Sequence, residues 1–154
     1  MPVVDLTDLP AATAPNTPWF GLDLGETTIG VAASDRSRMI ASPLQTLKRR
    51  KFTQDAEQLF GLMDEREASG LVIGLPANMD GSEGPRAQSA RAFARNLERL
   101  RPVTVAFWDE RLSTAGVERF LIEGLDLSRR RRAEVVDRTA AAWILQGALD
   151  RLRA

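Results

Sequence analysis

The chain has 154 residues, of which 44% are hydrophobic and 27% are charged, the size and composition of one soluble globular domain. It contains no Cys, His or Tyr, which excludes His-based nucleophilic triads, zinc sites with nitrogen or sulfur ligands, disulfides and phosphotyrosine intermediates. The 21 Lys and Arg balance the 21 Asp and Glu, so only local patches can attract a polyanion. Catalysis therefore has to use carboxylates, Lys or Arg, hydroxyls, or a metal ion held by oxygen.

The N-terminal residues 1–17 are rich in Pro and Thr and show no apolar period, so we expect a flexible tail followed by one domain over residues 18–154. This segment has neither the basic start nor the apolar centre of a signal peptide. No apolar run approaches the roughly 20 residues of a membrane span. We therefore expect a cytoplasmic protein with no membrane contact.

Three strands are predicted next along the chain. The apolar run Trp19–Leu24, which ends at Gly25, is typical of a central strand buried on both faces. Ile29–Ser34 follows after a short turn, which indicates a hairpin. Met39–Leu47 is a candidate third strand, in which Pro43 requires an edge position or a bulge.

Helices and strands alternate in the rest of the chain. The predicted elements are a helix from Phe52 that ends before Ser69, a strand Leu71–Leu75, a helix from Pro85 to near Pro102, a strand Val103–Trp108, and helices Ser113–Glu123 and Arg130–Arg153. The order β-β-β-α-β-α-β-α-α predicts an α/β fold with a mixed five-stranded sheet and helices on both faces. Ligands of such sheets gather beyond the carboxyl ends of the parallel strands, where Asp23 and Glu110 would lie.

Asp137 falls at the centre of the apolar stripe of the last helix. The residues within about 60° of it on a helical wheel are Ala133, Ala140, Ala141, Ile144 and Ala148. A buried carboxylate must be neutral, paired with a cation or coordinated to a metal. An ion pair with an arginine such as Arg111 is the alternative to a metal site.

Asp23 and Glu110 are two further acids at strand ends. Asp23 interrupts an apolar run, and Glu110 directly follows a predicted buried strand. Asp23 could instead cap the following turn, and Glu110 could be an exposed loop acid. Together with Asp137 they match the oxygen-only coordination that Mg²⁺ and Mn²⁺ prefer. Two such ions can activate a water and stabilise a leaving oxygen in phosphodiester hydrolysis.

Basic residues are concentrated in two runs, Lys48–Lys51 and Arg129–Arg132, each of which is either a solvated segment or a phosphate contact. A further set of arginines would form a basic ridge on one helix face, or simply an exposed helix surface: Arg86, Arg91, Arg95 and Arg99. The Pro76–Pro85 loop follows a parallel strand, and its Gly and Asn residues permit a close backbone approach to a phosphate, although a plain loop is equally consistent.

Four motifs follow one another along the chain. They are Gly21–Gly25 with Ile29–Ala32, then Ile73–Pro76 with Asn78–Ser82, then Asp109–Thr114, and finally Val136 and Asp137 with Ala140, Ala141, Ile144 and Leu145. In this combination they resemble the YqgF family of RuvC-like, RNase H-fold nucleases. The likeness covers about residues 19–151 in order.

The resemblance implies an RNase H-like nuclease domain over residues 18–154 that binds Mg²⁺ or Mn²⁺ at Asp23, Glu110 and Asp137. It implies maturation of the 5′ end of the 16S rRNA precursor, with precursor rRNA and the ribosomal subunit precursor as partners. Related proteins were also proposed as Holliday junction resolvases, so branched DNA is the alternative substrate.

The family usually carries Lys or Arg where this chain has Thr27, a departure that bears on phosphate contact. The candidate substrate-binding residues are Thr27, Asn78, Arg86, Arg111, Arg131 and Arg132.

Two other functions remain open. Asp23–Thr28 followed by a strand also resembles the first phosphate loop of actin, Hsp70 and sugar-kinase ATPases, although those proteins clasp the nucleotide between two lobes and this chain supplies one. A non-catalytic RNA-binding module would use the basic patches alone, but three carboxylates repel a polyanion unless a cation intervenes. Both a monomer and a homodimer are compatible with the sequence, and a junction resolvase would need paired active sites.

Overall fold

The computed structural model describes the backbone of residues 3–76, 80–110 and 129–153, and the side chains of these residues except 129–137. The strands are β1 (Trp19–Leu24), β2 (Thr28–Ser34), β3 (Ala41–Lys48), β4 (Gly70–Leu75) and β5 (Thr104–Asp109). The helices are α1 (Leu9–Ala12), α2 (Phe52–Arg66), α3 (Pro85–Leu100) and α4 (Arg129–Arg153). The predicted helix Ser113–Glu123 lies outside the described residues. No helix in the described ranges is both long and apolar enough to cross a membrane.

The strands form one mixed sheet in the order β3-β2-β1-β4-β5. The first three are antiparallel neighbours, whereas β1, β4 and β5 run parallel. A tight turn joins β1 to β2, in which the Gly25 N–H donates to the Thr28 carbonyl oxygen at 2.9 Å. The predicted α/β fold with a mixed five-stranded sheet is confirmed. Its parallel arrangement brings the carboxyl ends of β1, β4 and β5 to one edge.

Pro43 lies in the edge strand β3, where its missing N–H removes no hydrogen bond from the interior of the sheet. The pairing of β3 with β2 also shifts by one residue beside it, because Val31 pairs with Gln45 whereas Ala32 pairs with Pro43. Pro43 is therefore both at an edge and next to a bulge, as its presence in a predicted strand required.

Helices cover both faces of the sheet. The face under α2 and α3 carries the larger apolar cluster, in which the fully buried strand residues include Phe20, Leu22, Val31, Leu71, Ile73 and Val105. The face under α4 carries a second cluster that includes Trp19, Ala32, Val72, Ala106 and Trp108. Because successive residues of a strand point to opposite faces, the central strands are apolar at nearly every position.

The N-terminal segment is packed against the sheet, which corrects the predicted flexible tail for residues 3–17. Val3 pairs with Val105 of β5, and the Val4 N–H donates to the Val105 carbonyl oxygen at 2.9 Å. The segment thereby covers the edge strand β5, whose backbone would otherwise be open to pairing with another chain. Leu9 of α1 is fully buried in the apolar cluster under α4.

The composition of this segment concealed its structure. Pro10 stands at the first turn of α1, where a proline is compatible with a helix because that N–H has no intrahelical partner. A helix of four residues is too short to show an apolar period. Thr13, at the end of α1, accepts a hydrogen bond from the Trp19 indole N–H at 3.1 Å, a contact that no local pattern predicts.

We expect Leu9→Ala to lower the free energy of unfolding by about 2–4 kcal/mol, because it opens a cavity in a packed cluster. Leu100→Ala is the matched control, since Leu100 is 48% exposed and its truncation should change stability by at most about 0.5 kcal/mol. Urea denaturation followed by circular dichroism measures both. A flexible tail would leave the two variants indistinguishable.

Candidate active site

Two acidic side chains lie at the carboxyl edge of the parallel strands, on the face covered by α4. Asp23 is the penultimate residue of β1 and is only 4% exposed. Glu110 directly follows β5 and is half-buried. Two residues earlier in the chain, Trp108 belongs to the apolar cluster under α4, and strand alternation continues that face toward Glu110. The structure thus brings two of the three predicted acids to the same edge and the same face.

Gly74 of β4 provides the space in which these acids meet. The parallel register of β1 and β4, continued one residue beyond Leu22 and Ile73, places Asp23 alongside Gly74. A Cβ atom on Gly74 would lie 3.0 Å from Glu110 Oε1 and 2.5 Å from Ile144 Cδ1. The Glu110 carboxylate therefore lies over the bare backbone of β4, next to the strand that carries Asp23.

Helix α4 approaches the sheet closely at the same level. A Cβ atom on Gly21 would lie 2.7 Å from Leu145 Cβ and 2.8 Å from the Ala141 carbonyl oxygen, so the helix rests on β1 two residues before Asp23. The backbone of Asp137 lies in α4 one turn before Ala141. The side chain of Asp137 lies outside the described residues. The predicted neighbours on the apolar stripe are buried at Ala140, Ala141, Ile144 and Ala148.

The burial of Asp23 has an energetic consequence. A carboxylate that loses its hydration requires a cation or hydrogen-bond donors in compensation. Among the described side chains no group of three or more His, Cys, Asp or Glu residues forms a metal-binding cluster, and the third predicted ligand, Asp137, is not one of those side chains. The described pair of Asp23 and Glu110 supplies oxygen donors only, which suits hard divalent cations.

The structure describes two of the predicted substrate-binding residues, Thr27 and Arg86. Thr27 is exposed in the turn between β1 and β2, where its carbonyl oxygen accepts a hydrogen bond from the Arg49 N–H at 2.9 Å. Arg86 lies in the first turn of α3 and lines a cleft of about 210 Å³ together with Gly25 and Arg49. Asn78 and Arg111 lie outside the described residues, and of Arg131 and Arg132 only the helical backbone is described.

The basic ridge predicted along α3 is interrupted at Arg91. Its Nε and Nη2 atoms donate to the two carboxylate oxygens of Glu83 at 2.6 and 2.7 Å, and its guanidinium lies 4.9 Å from the ring centroid of Phe107. The hydrogen bond from Arg91 holds the pKa of the Glu83 carboxyl below its usual value, and the same bond raises the pKa of Arg91. The charge of Arg91 is thus compensated, whereas Arg86 forms no ion pair within the described part of the chain.

Sequence reasoning passed over Gly74 and did not single out Arg49. Gly74 was one apolar position of a predicted strand, although a glycine inside a strand is a known sign of close approach by another group. Arg49 was one member of a basic run. Only the tertiary structure shows that its Nη1 atom donates to the Gly25 carbonyl oxygen at 2.7 Å, beside the end of β1.

The fold is that of the RuvC-like class, as the sequence resemblance implied. RuvC of Thermus thermophilus in complex with a Holliday junction substrate superposes with a TM-score of 0.55 at 12% identity, over 90% of this chain and 97% of that one. The yeast mitochondrial Holliday junction resolvase superposes with a TM-score of 0.51 at 12% identity, over 96% of this chain and 84% of that one. At this level of identity the likeness establishes the fold.

The chain belongs to the RuvX family, described as Holliday junction resolvase, whose family model matches residues 17–151. This is the YqgF family indicated by the motifs. A protein of Phenylobacterium zucineum named as a pre-16S rRNA nuclease is 66% identical over 99% of both chains. A protein of Rhodospirillum rubrum with the same name is 60% identical over 99% of this chain and 94% of its own.

We expect Gly21→Ala to lower the free energy of unfolding by about 1–3 kcal/mol, because the backbone of α4 stands where the new methyl group would lie. Gly61→Ala is the control. Gly61 is exposed inside α2, and apart from its own helix backbone and chain neighbours no atom of a described residue lies within 4 Å of the place that its new methyl group would take. Alanine there should therefore raise stability by about 0.5–1 kcal/mol. Urea denaturation should therefore give changes of opposite sign. Two changes of the same sign would contradict the close contact between α4 and β1.

Proposed function

We propose that the protein is a metal-dependent nuclease that hydrolyses phosphodiester bonds. The observation that supports this best is the arrangement of Asp23 and Glu110, a buried and a half-buried acid on one face of the carboxyl edge, with Gly74 leaving room between them. Membership of the RuvX family supports the same activity.

Asp23, Glu110 and Asp137 are the proposed catalytic residues and the proposed ligands of Mg²⁺ or Mn²⁺. A donor set of carboxylates fits these ions, and the chain has no His or Cys that would favour a softer metal. Bound ions would supply an activated water and would stabilise the charge on the leaving oxygen.

The fold positions the acidic residues of this site and excludes water from part of it. The pairing of Asp23 with Gly30 of β2 fixes its backbone in the interior of the sheet, and its side chain is buried. The contact of α4 with Gly21 fixes the helix that carries Asp137 relative to β1. The fully buried Ile144 reaches the same space beside Gly74 as Glu110, so its apolar side chain excludes water from one side of the pair.

The proposed substrate is precursor RNA, with maturation of the 5′ end of the 16S rRNA precursor as the reaction. The names of relatives that are 60–66% identical over nearly the whole chain support this choice. The corresponding partner is a ribosomal subunit precursor, and the corresponding location is the cytoplasm.

A Holliday junction resolvase is the second candidate. Two observations favour it: the family is described as Holliday junction resolvase, and Thermus thermophilus RuvC, which shares the fold, was solved in complex with a Holliday junction substrate. A resolvase cuts two strands related by symmetry and needs two active sites. A dimer in solution would therefore favour the junction, whereas a monomer would favour RNA.

Asp23→Asn, Glu110→Gln and Asp137→Asn are each expected to reduce Mn²⁺- or Mg²⁺-dependent cleavage by at least about 100-fold, because each removes a charged metal ligand. Binding of RNA should change little. The assay offers the purified protein precursor rRNA and a four-way DNA junction side by side, and electrophoresis shows which is cut.

Glu65→Gln is the control for this series, because Glu65 is exposed near the end of α2, where the chain enters the beginning of β4 at the edge opposite the carboxyl edge. It should cleave at the rate of the unchanged protein. If the unchanged protein cuts neither substrate with either ion while it still binds RNA, the nuclease proposal is wrong and a non-catalytic binding module takes its place.

Metal binding can be measured without cleavage. Saturating Mn²⁺ should raise the melting temperature of the unchanged protein, since a ligand at about 100 times its Kd stabilises the folded state by about 2.7 kcal/mol. Asp23→Asn should lose most of this shift, and Glu65→Gln should retain it. Equal shifts in both variants would place the ion elsewhere.

A further inference from the structure

A cleft lies beyond the end of β1, on the side of the sheet away from α4. It measures about 210 Å³, and its lining includes Leu24, Gly25, Glu26, Arg49 and Arg86. Leu24 packs against the apolar cluster under α2 and α3, whereas the preceding Asp23 belongs to the opposite face. The cleft and the proposed metal site are therefore neighbours across the end of a single strand.

Arg49 is fixed in this cleft by three contacts. Its Nη1 atom donates to the Gly25 carbonyl oxygen at 2.7 Å, its backbone N–H donates to the Thr27 carbonyl oxygen at 2.9 Å, and its guanidinium lies 5.8 Å from the ring centroid of Phe93. A guanidinium that is already positioned loses little conformational entropy when it binds an anion. Within the described part of the chain this guanidinium makes one hydrogen bond, to a carbonyl oxygen, which leaves its other N–H groups available.

The connection that carries Arg49 is also held in place. Asp55 of α2 is only 2% exposed, and its Oδ1 atom accepts a hydrogen bond from the Arg50 N–H at 2.9 Å. The Asp55 N–H in turn donates to the Lys51 carbonyl oxygen at 3.1 Å. Because of these contacts, residues 48–51 form an ordered turn. This order favours a phosphate contact over a solvated segment as the interpretation of the basic run.

Arg86 faces the same cleft from α3. It is exposed, and no described residue forms an ion pair with it. Arg91, five residues later in the same helix, has its charge compensated by Glu83. Ser89 adds a hydroxyl to the lining of the cleft. Two guanidinium groups and a hydroxyl in a space of this size match the donors that proteins place around a phosphate.

We propose that this cleft is a second phosphate subsite, in which Arg49 and Arg86 hold a backbone phosphate of an RNA strand next to the phosphate at the metal site. The subsite rests on the proposed nuclease function for its position in a substrate path, but its binding chemistry does not depend on cleavage. An RNA strand that crosses the end of β1 would meet the carboxylates of the proposed metal site on one side and Arg49 and Arg86 on the other.

Glu26 also lines this cleft. Its substitution predicts the direction in which RNA affinity should change if the cleft binds an anion. Its exposed carboxylate repels a phosphate, so its neutralisation should strengthen binding. A cleft that bound a cation or an uncharged ligand would respond in the opposite direction or not at all. Glu26→Gln therefore distinguishes an anion subsite from other uses of the cleft.

The test measures binding of a single-stranded RNA 12-mer over a series of KCl concentrations in EDTA, where divalent ions do not compete. Arg49→Gln and Arg86→Gln should each weaken binding about three- to tenfold and should each reduce the slope of log K against log [KCl] by about 0.7, the value for one lost phosphate contact with a single strand. Glu26→Gln should bind more tightly. Arg99→Gln, the same charge change at an exposed position in the last turn of α3, should leave both quantities unchanged.

The slope of log K against log [KCl] distinguishes a phosphate contact of an arginine from a purely structural role. A variant that only loosens the turn would lose affinity but keep the slope, because it loses no ionic contact. Arg49→Lys keeps the charge and should retain the slope even if it weakens the bond to Gly25. Unchanged slopes in Arg49→Gln and Arg86→Gln overturn the subsite, whatever happens to affinity. Cleavage measured separately keeps the two proposals apart: reduced slopes in a protein that cuts nothing support the subsite and refute the nuclease.

Discussion

The contact between α4 and β1 is the constraint on which the site depends. With no side chain at Gly21, the Ala141 carbonyl oxygen and the Leu145 Cβ atom reach the position that a β-carbon would occupy. A helix at this distance has one position along the strand, because a shift in either direction would bring it against a larger neighbour. The position of the Asp137 backbone relative to Asp23 follows from this contact between α4 and Gly21.

The two sides of the carboxyl edge differ in charge, and the difference follows from the alternation of β1. Asp23 faces α4, whereas the next residue, Leu24, faces the cleft that contains Arg49 and Arg86. The end of β1 therefore separates the acids of the proposed metal site on one face from the basic groups of the proposed phosphate subsite on the other. The overall charge of zero conceals this separation, since the acids and bases cancel only in the sum.

The borders of the sheet are protected by different means. At β3 the edge carries Pro43 and a bulge, both of which disfavour pairing with another chain. At β5 the N-terminal segment pairs through Val3 and buries Leu9. The first residues of the chain thus complete the sheet next to the strand that ends at Glu110, and they belong to the architecture of the site.

The sequence by itself determined the order of the five strands and of α2, α3 and α4, the mixed sheet and the acids at the ends of β1 and β5, because apolar periodicity and Gly or Pro boundaries are local properties of the chain. It misjudged residues 3–17, whose structure comes from long-range contacts such as that of Val4 with Val105. The room that Gly74 leaves for Glu110, the compensation of Arg91 by Glu83 and the position of Arg49 were decided by tertiary structure alone. Each of these features is a contact between residues of different strands, helices or loops. The spacing of side chains along one element contains no information about such contacts.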